Sequence, residues 1–396
     1  MRIPWLLFSI SAIIIILCDL YIYLVARKRC KSRVPERIQL ISSIAAYVLL
    51  AVAVALPRRG GDDSTLRAIM WMLFIVISVY FSKITFVVFD LIASIPRLFK
   101  RRRIKWISLA GGILAVVVFL SMWWGALVNR FRLDVKYVEI PVENLPAAFD
   151  GYRIIQISDL HTGTYGSDTT FVSHFVDRIN SLEGDVIMFT GDIVNRHSEE
   201  LIPFIAPLSR LDAPDGVISI LGNHDYGDYH NWTSLDDKAA DRQHLLNYQK
   251  QMGWQLLLNS HELIHHGTDS IAVIGVENIG DPPFKIYGSL KDSYPELNDS
   301  VTKILLTHNP AHWVQDIADH NDKNIALTLS GHTHAMQIEA FGISPASWRY
   351  DQWGGLYYDK SGKRPLYVNI GAGTVGLPMR LGATPEITVI TLKKAR

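Results

Sequence analysis

The sequence predicts two regions of different architecture: four membrane-spanning helices over residues 1–130 and an α/β domain over residues 131–396. Three observations predict this. Long apolar stretches crowd into the first 130 residues of a chain that is 49% hydrophobic overall. Past Asn129 the pattern changes to short β-branched runs separated by stretches of helical periodicity. Five of those runs end in an Asp, Asn or His.

The apolar segments come first: Trp5–Val25, Ile38–Leu56, Ala68–Ile95 and Trp106–Val128. Each reaches or approaches the roughly 20 residues needed to cross a bilayer core as a helix. A cleaved signal peptide fits the first segment poorly. It starts with only Arg2 as a basic residue and is followed by Arg27, Lys28 and Arg29 instead of a small-residue cleavage site. A soluble bundle fits no better, because Ile13–Leu17 and Ala115–Leu120 have no polar face.

Loop charges predict the orientation. Arg27, Lys28, Arg29, Lys31, Arg33 and Arg37 follow the first span, and Arg97, Lys100, Arg101, Arg102, Arg103 and Lys105 follow the third. The link after the second span has only Arg58, Arg59 and Arg67, beside Asp62 and Asp63. Basic residues concentrate on the cytoplasmic side, so this pattern predicts a cytoplasmic-membrane protein with an extracytoplasmic C-terminal domain. The Lys100–Arg103 run also suits contact with anionic lipid. Trp123 and Trp124 read as part of an interfacial aromatic belt. Asp19, Lys83 and Asp90 lie in or near the spans, and intramembrane charges are functional candidates by default. The structural reading is favoured here, with Lys83 and Asp90, seven apart on one helical face, able to pair with each other.

Net charge sets a further bound. The value of +1 argues against a nucleic-acid partner. The only cysteines, Cys18 and Cys30, lie in or beside the first span, so the α/β domain has neither a disulfide nor a thiolate metal site.

Within that domain, Tyr152–Ile157 ends in Ser158-Asp159-Leu160-His161, and Asp185–Phe189 ends in Thr190-Gly191-Asp192. Val217–Leu221 ends in Gly222-Asn223-His224-Asp225, Lys303–Leu306 in Thr307-His308, and Ile325–Leu329 in Ser330-Gly331-His332-Thr333-His334. Helices are predicted over 168–182 and around Leu201, Ile202, Ile205 and Leu208, with Asn309 as an N-cap before Pro310. A single loop His means little. Five strands delivering oxygen and imidazole donors at their carboxyl ends, where α/β folds bind ligands, mean a site. Without thiolates, the set suits Mn, Fe or Zn.

Asp159, His161, Asp192, Asn223, His308, His332 and His334 are more donors than one ion can use. Two ions sharing a carboxylate would use all seven. Paired ions of this kind clamp the attacking and leaving oxygens of a displacement at phosphorus and bring a bound water to hydroxide near neutral pH.

In these motifs the sequence resembles the calcineurin-like metallophosphoesterases, in its membrane-anchored branch. Asp159-Leu160-His161, Gly191-Asp192, Gly222-Asn223-His224-Asp225, His308 and Gly331-His332-Thr333-His334 appear in family order across most of residues 150–336. The resemblance implies a two-sheet sandwich flanked by helices, a four-layer α/β fold, over 131–396. It also implies that Asp159, His161 and His334 hold one ion, that Asp192 bridges, and that Asn223, His308 and His332 complete the second. His224 would contact the phosphate and protonate the leaving oxygen, with Asp225 orienting its ring. Tyr367–Leu392, with Gly371-Ala372-Gly373, Arg380-Leu381-Gly382 and Pro385-Glu386-Ile387, resembles the branch's closing strands. Ala335-Met336-Gln337 departs from it, since the branch often has two glycines before the Gln.

Other candidates read more plainly. His244, His261, His265 and His266 read as surface residues. His197 and His230 lie near motif residues, where a substrate-facing role is open. Trp348, Tyr350, Trp353, Tyr357 and Tyr358 read as packing or a hairpin, with a groove facing the bilayer as the sharper idea. The function expected is a two-metal phosphoesterase acting on a phosphate mono- or diester, lipid-linked or envelope-derived, held near the head groups by a linker over Asn129–Leu133. A pyrophosphatase acting on UDP-2,3-diacylglucosamine and a catalytically silent receptor or scaffold are the alternatives.

Overall fold

The computed structural model describes residues 5–57, 61–294, 300–319 and 324–395, with side chains from Ser9 onward. The basic residues Arg2, Arg58 and Arg59 lie outside the described residues. The chain divides into two compact units, one running to Leu127 and including Gly376–Met379, the other made of Val128–Val375 and Arg380–Arg396.

The first unit is helical: α1 (Trp5–Arg29), α2 (Val34–Ala55), α3 (Asp63–Ser94) and α4 (Lys105–Leu127). A proline in the first turn starts α2, where its missing N–H costs nothing. Asp62 caps α3 by accepting from the Thr65 N–H at 2.6 Å. All four helices are long and apolar enough to cross a membrane. Ile13, Leu17, Val116 and Leu120 point outward, more than half exposed, which is the lipid-facing pattern of spans.

The interior of this unit corrects the expected Lys83–Asp90 pair. Seven residues of helix separate them by about 10 Å along the axis, and each finds partners on other helices. Lys83 Nζ lies 2.8 Å from Asp19 of α1. Asp90 takes Arg29 and Arg103, each at 2.7 Å, and the Tyr21 hydroxyl at 2.6 Å. Arg29 ends α1 and Arg103 precedes α4, so the two basic links lie on the same side of the bundle. Of the two tryptophans, Trp124 is 42% exposed. Trp123 instead turns inward onto Phe74 and Trp71, with ring centroids 5.3 and 6.4 Å away.

Among the described residues the second unit carries twelve strands: β1 (Asp134–Val142), β2 (Arg153–Ile157), β3 (Val186–Phe189), β4 (Val217–Ser219), β5 (Gln255–Leu256), β6 (Ser260–His266), β7 (Asp269–Gly275), β8 (Thr302–Leu306), β9 (Leu327–Ser330), β10 (Gly355–Tyr357), β11 (Leu366–Val368) and β12 (Glu386–Lys394). Between them lie α5 (Thr170–Asn180), α6 (Ile205–Leu208), α7 (Leu235–Gln251), α8 (Leu290–Ser293) and α9 (Ala311–Asp316). One mixed sheet has the order β1-β12-β2-β3-β4-β5, the other β10-β11-β9-β8-β7-β6. The pleat explains the layers. Ile154, Val186, Met188 and Ile218 of the first sheet share a core with Ile271, Val273, Ile304 and Leu327 of the second. Their neighbours Ile155, Ile187 and Phe189 face the other way, onto Phe171, Val172 and Phe175 of α5. Both faces are buried, so these strands read as nearly continuous apolar runs.

The helix expected around Leu201 changes character. The helix around Leu201 is a 3-10 segment, Ser198–Phe204, followed by the single turn α6. Pro203 and Pro207 lack the N–H groups that an α-helix needs. Asn129, at the start of the expected Asn129–Leu133 linker, is bonded within the second unit. Asn129 Nδ2 donates to the Arg380 carbonyl at 3.0 Å, and Thr384 Oγ1 donates to Asn129 Oδ1 at 3.2 Å. Pro310 takes the N-cap position of α9, one residue later than expected, and Asn309 Oδ1 accepts from the Ala311 N–H at 2.9 Å just before it.

Candidate metal centre

The two sheets bring their strand ends to one place. Asp159 and His161 follow β2, Asp192 follows β3, Asn223 and His224 follow β4, His308 follows β8, and His332 and His334 follow β9. The turns are tight. Asp159, His161, Asp192, His332 and His334 all take left-handed φ, between 48° and 76°, which costs roughly 1–3 kcal/mol each for non-glycine residues. Glycines of the same motifs permit the close approach. A Cβ on Gly222 would lie 2.2 Å from Asp192 Oδ1, and one on Gly331 would lie 2.4 Å from Asp159 Oδ2.

All seven predicted donors meet, and they fall into two groups. Asp159, His161 and His334 offer atoms within 4.8 Å of one another, and so do Asp192, His308 and His332. In the first group His334 Nε2 is 3.2 Å from Asp159 Oδ1 and 3.0 Å from His161 Nε2. In the second, His308 Nε2 is 3.1 Å from Asp192 Oδ2, 3.2 Å from Asn223 Oδ1 and 3.2 Å from His332 Nδ1. Asp192 Oδ2 also lies 3.6 Å from His161 Nε2, so this carboxylate faces both groups.

The surroundings orient the rings. His308 donates Nδ1–H to the Thr190 carbonyl at 2.8 Å, which turns the Nε2 lone pair inward. His332 Nε2 meets the Tyr350 hydroxyl at 3.1 Å, and Tyr350 donates onward to Asp281 at 3.2 Å. Asn223 donates Nδ2–H to Tyr229 at 3.0 Å, which leaves Oδ1 facing the cluster. The outcome is a buried pocket where carboxylate oxygens and inward ring nitrogens confront one another with few protons between them. A divalent cation fits that donor set.

Within the cluster the charges perturb one another strongly. Burial pushes the Asp159 carboxyl up, but the neighbouring His334 and His308 bring it below its ordinary range. Asp192 is held well below its usual value against the cost of burial, chiefly by His308 and His224. Burial works against a charged His308, yet Asp192 and Asp159 raise it to about 9. Burial and the charge of His308 push His332 down to about 3.

Asp225 corrects an expectation. His224 Nδ1 lies 2.7 Å from the Asn195 carbonyl, and that contact orients the ring. The Asp225 carboxylate instead accepts from the N–H groups of Asp192, Ile193, Val194 and Gly222, at 2.8 to 3.2 Å. It ties the β3 and β4 turns together. Burial and the charge of Asp192 push its carboxyl up to about 7.

Comparisons with known proteins give the family. Residues 1–130 match a family model described as a probable calcineurin-like phosphoesterase transmembrane domain, and residues 152–336 match the calcineurin-like phosphoesterase model. A zebrafish (Danio rerio) transmembrane protein with metallophosphoesterase domain is 30% identical over 323 residues, 78% of this chain and 70% of its own. The chain belongs to the calcineurin-like metallophosphoesterases. A Bacillus subtilis relative, the uncharacterized metallophosphoesterase YkuE, is 33% identical across 63% of this chain and 82% of its own. Among solved structures, a metallophosphoesterase from Sphaerobacter thermophilus is 18% identical, covers 57% of this chain and 78% of its own, and has a TM-score of 0.25. This metallophosphoesterase is therefore a membrane-anchored phosphoester hydrolase, and its family implies divalent metals.

Several residues at the centre received no role from the sequence. Tyr229 stacks on the His224 ring, with centroids 4.1 Å apart. Tyr350 came from the aromatic group read as packing. Arg380 is fully buried and donates from Nη2 to His334 Nδ1 at 3.1 Å. Tyr350 and Arg380 lie beyond residue 336, where the catalytic family model stops matching. Conversely, His197 and His230 pack ring to ring at 5.1 Å and belong to neither donor group. His266 is less exposed than expected. It stacks on Phe149 at 4.8 Å and bonds Asp215 at 2.9 Å, because the aromatic pair Phe149 and Tyr152 gives it a lining.

Proposed function

We propose that this metallophosphoesterase hydrolyses a phosphate mono- or diester, lipid-linked or envelope-derived, on the outer face of the cytoplasmic membrane. Spans over 1–130 would anchor a catalytic domain over 131–396. The observation that carries the reading is the convergence of seven donors into two groups, with the Asp192 carboxylate facing both. In this reading Asp159, His161 and His334 would hold one divalent ion, Asn223, His308 and His332 would hold the other, and Asp192 would serve both; Mn, Fe and Zn all suit these donors.

When bound, such a pair supplies Lewis acidity toward the phosphoryl oxygens and an activated water. The protein's own groups do the rest. His224 sits half-buried at the edge of the cluster, its ring 4.8 Å from that of His161. With Nδ1–H donated to Asn195, its Nε2 is the atom that holds a proton and hands it to the leaving oxygen. The stacked Tyr229 ring covers one face of that imidazole and keeps it in place. Asp225 keeps Asp192 and His224 in register by holding both turns. The outward side of the domain is supported by the two basic links meeting at Asp90, since basic links stay in the cytoplasm.

The full chain, reconstituted in vesicles with Mn, is assayed on a soluble monoester, a soluble diester and a phospholipid, beside His224→Ala. Wild type should turn over at least one, with His224→Ala about 10²–10⁴-fold slower. No hydrolysis of any of them, with metal bound, sinks the reading. A reporter fused at the C-terminal end tests the side; a cytoplasmic signal would revive the nucleotide-linked pyrophosphatase reading.

A further inference from the structure

Between His334 and Tyr350 the chain makes an excursion that carries its apolar side chains outward. Met336 is 48% exposed, Ile343 70%, Trp348 88%, and Phe341 is fully exposed. Single exposed apolar residues are ordinary. Four large ones within thirteen residues of one projecting segment are not. Trp348 also shares a cavity of about 220 Å³ with Val314, itself 47% exposed, and with Tyr350.

This segment is fixed in place. Ala340 and Ile343 exchange both backbone hydrogen bonds at 3.0 Å, which closes a two-residue turn. Its central residues are Phe341 at φ 56° and Gly342 at φ 75°. Such a turn favours Asn or Gly at both places, so Phe341 sits there against backbone preference and without burial in return. The base is pinned by a bridge from Ile338 to Leu381 and by the Glu339 N–H donating to the Leu381 carbonyl at 2.8 Å. A rigid hairpin with an apolar tip is a wedge.

We propose that the Met336–Trp348 excursion inserts into the surface layer of the bilayer and presents an amphiphile's phosphoester to the metal centre. The occupant is argued from the tether. Residues 128–133 alone separate α4 from β1, so at most about 20 Å of chain separates the end of α4 from the domain. Phe, Ile, Met and Trp are side chains suited to wedging about 5–10 Å into the head-group boundary. Both ends of the excursion lie at the cluster. It leaves two residues after His334 and returns at Tyr350, whose hydroxyl meets His332. This assignment rests on the proposed membrane-amphiphile substrate.

The test uses the full chain in vesicles of phosphatidylethanolamine and phosphatidylglycerol at 3:1. Cys18→Ala and Cys30→Ser leave Phe341→Cys as the single site for an environment-sensitive fluorophore, with Lys360→Cys as the solvent-facing control. The label at 341 should shift to the blue and be quenched at least threefold more than at 360 by spin-labelled lipid. Equal quenching at both sites overturns docking. A blue shift at 341 without quenching by spin-labelled lipid also overturns it, since that marks a protein partner or a second copy. As a second readout, Phe341→Asp with Ile343→Asp should cut the ratio of kcat/KM on a vesicle-borne ester to that on a soluble ester at least tenfold. An unchanged ratio overturns the coupling. If wild type hydrolyses no ester at all, the proposed function fails, and the label experiment still decides docking by itself.

Discussion

Around Asp19, donors from two other helices converge on one carboxylate: Lys83 at 2.8 Å, Gln39 at 2.9 Å, Tyr47 at 2.6 Å and Tyr80 at 2.8 Å. Lys83 in turn reaches Ser43 at 3.1 Å. Around Asp192 the composition is reversed. Carboxylates, an amide oxygen and inward-facing ring nitrogens crowd within a few ångströms, and their protons are turned outward toward Thr190, Tyr350 and Tyr229. The backbones differ too. Asp19 and its partners sit in regular helix, whereas most of the donors in the other cluster sit in left-handed turns. The contrast teaches how to tell two kinds of buried charge apart. A cluster with a proton for every acceptor is complete, and it serves packing. A cluster of acceptors held in strained backbone is waiting for a cation.

Removing metal tests that contrast most severely. Chelation of the reconstituted protein should drop ester hydrolysis to background, and added Mn should restore it. Activity that survives full chelation would put both clusters in the same class. Next in size is Asp19→Asn, which strands the Lys83 charge and should cost about 3–5 kcal/mol of bundle stability. Adding Lys83→Met should recover most of that, measured by denaturant melts in detergent. A single variant within 1 kcal/mol of wild type would mean the network is dispensable. Smaller again is Tyr350→Phe. Without its oxygen the His332 ring loses its outer partner, and metal affinity should weaken about 10–100-fold in chelator competition. Unaltered affinity would deny that the outer partners matter. Smallest is Met336→Gly, which relieves a φ of 45°. It should raise stability by about 0.5 kcal/mol, the strain relieved less the unfolded-state entropy of glycine. A loss instead would place the strain elsewhere.

Much of the catalytic centre was legible because its donors stand beside local signals. Each of β2, β3, β4, β8 and β9 is an apolar run that stops at the donor it delivers. What stayed hidden depends on contacts far apart in sequence. The Arg380 and Tyr350 contacts come from chain 46 and 18 residues from their histidines, and no periodicity announces them. The partner of Lys83 lies 64 residues away on α1. Helix rotation decides that choice, and an apolar sequence does not record it. The Asp225 role was misread because a carboxylate next to a histidine in sequence need not face its ring. Here four backbone N–H groups claim it first.

The strand order has a consequence for how the protein is made. β12 lies between β1 and β2, parallel to the first and antiparallel to the second. It is synthesised after every other strand of its sheet. While the ribosome is still working, β1 therefore has no neighbour, although the helices before it are already available for insertion. This sheet closes only when β12 drops into the gap between β1 and β2. Until β12 is made, the sheet carries an open seam between β1 and β2.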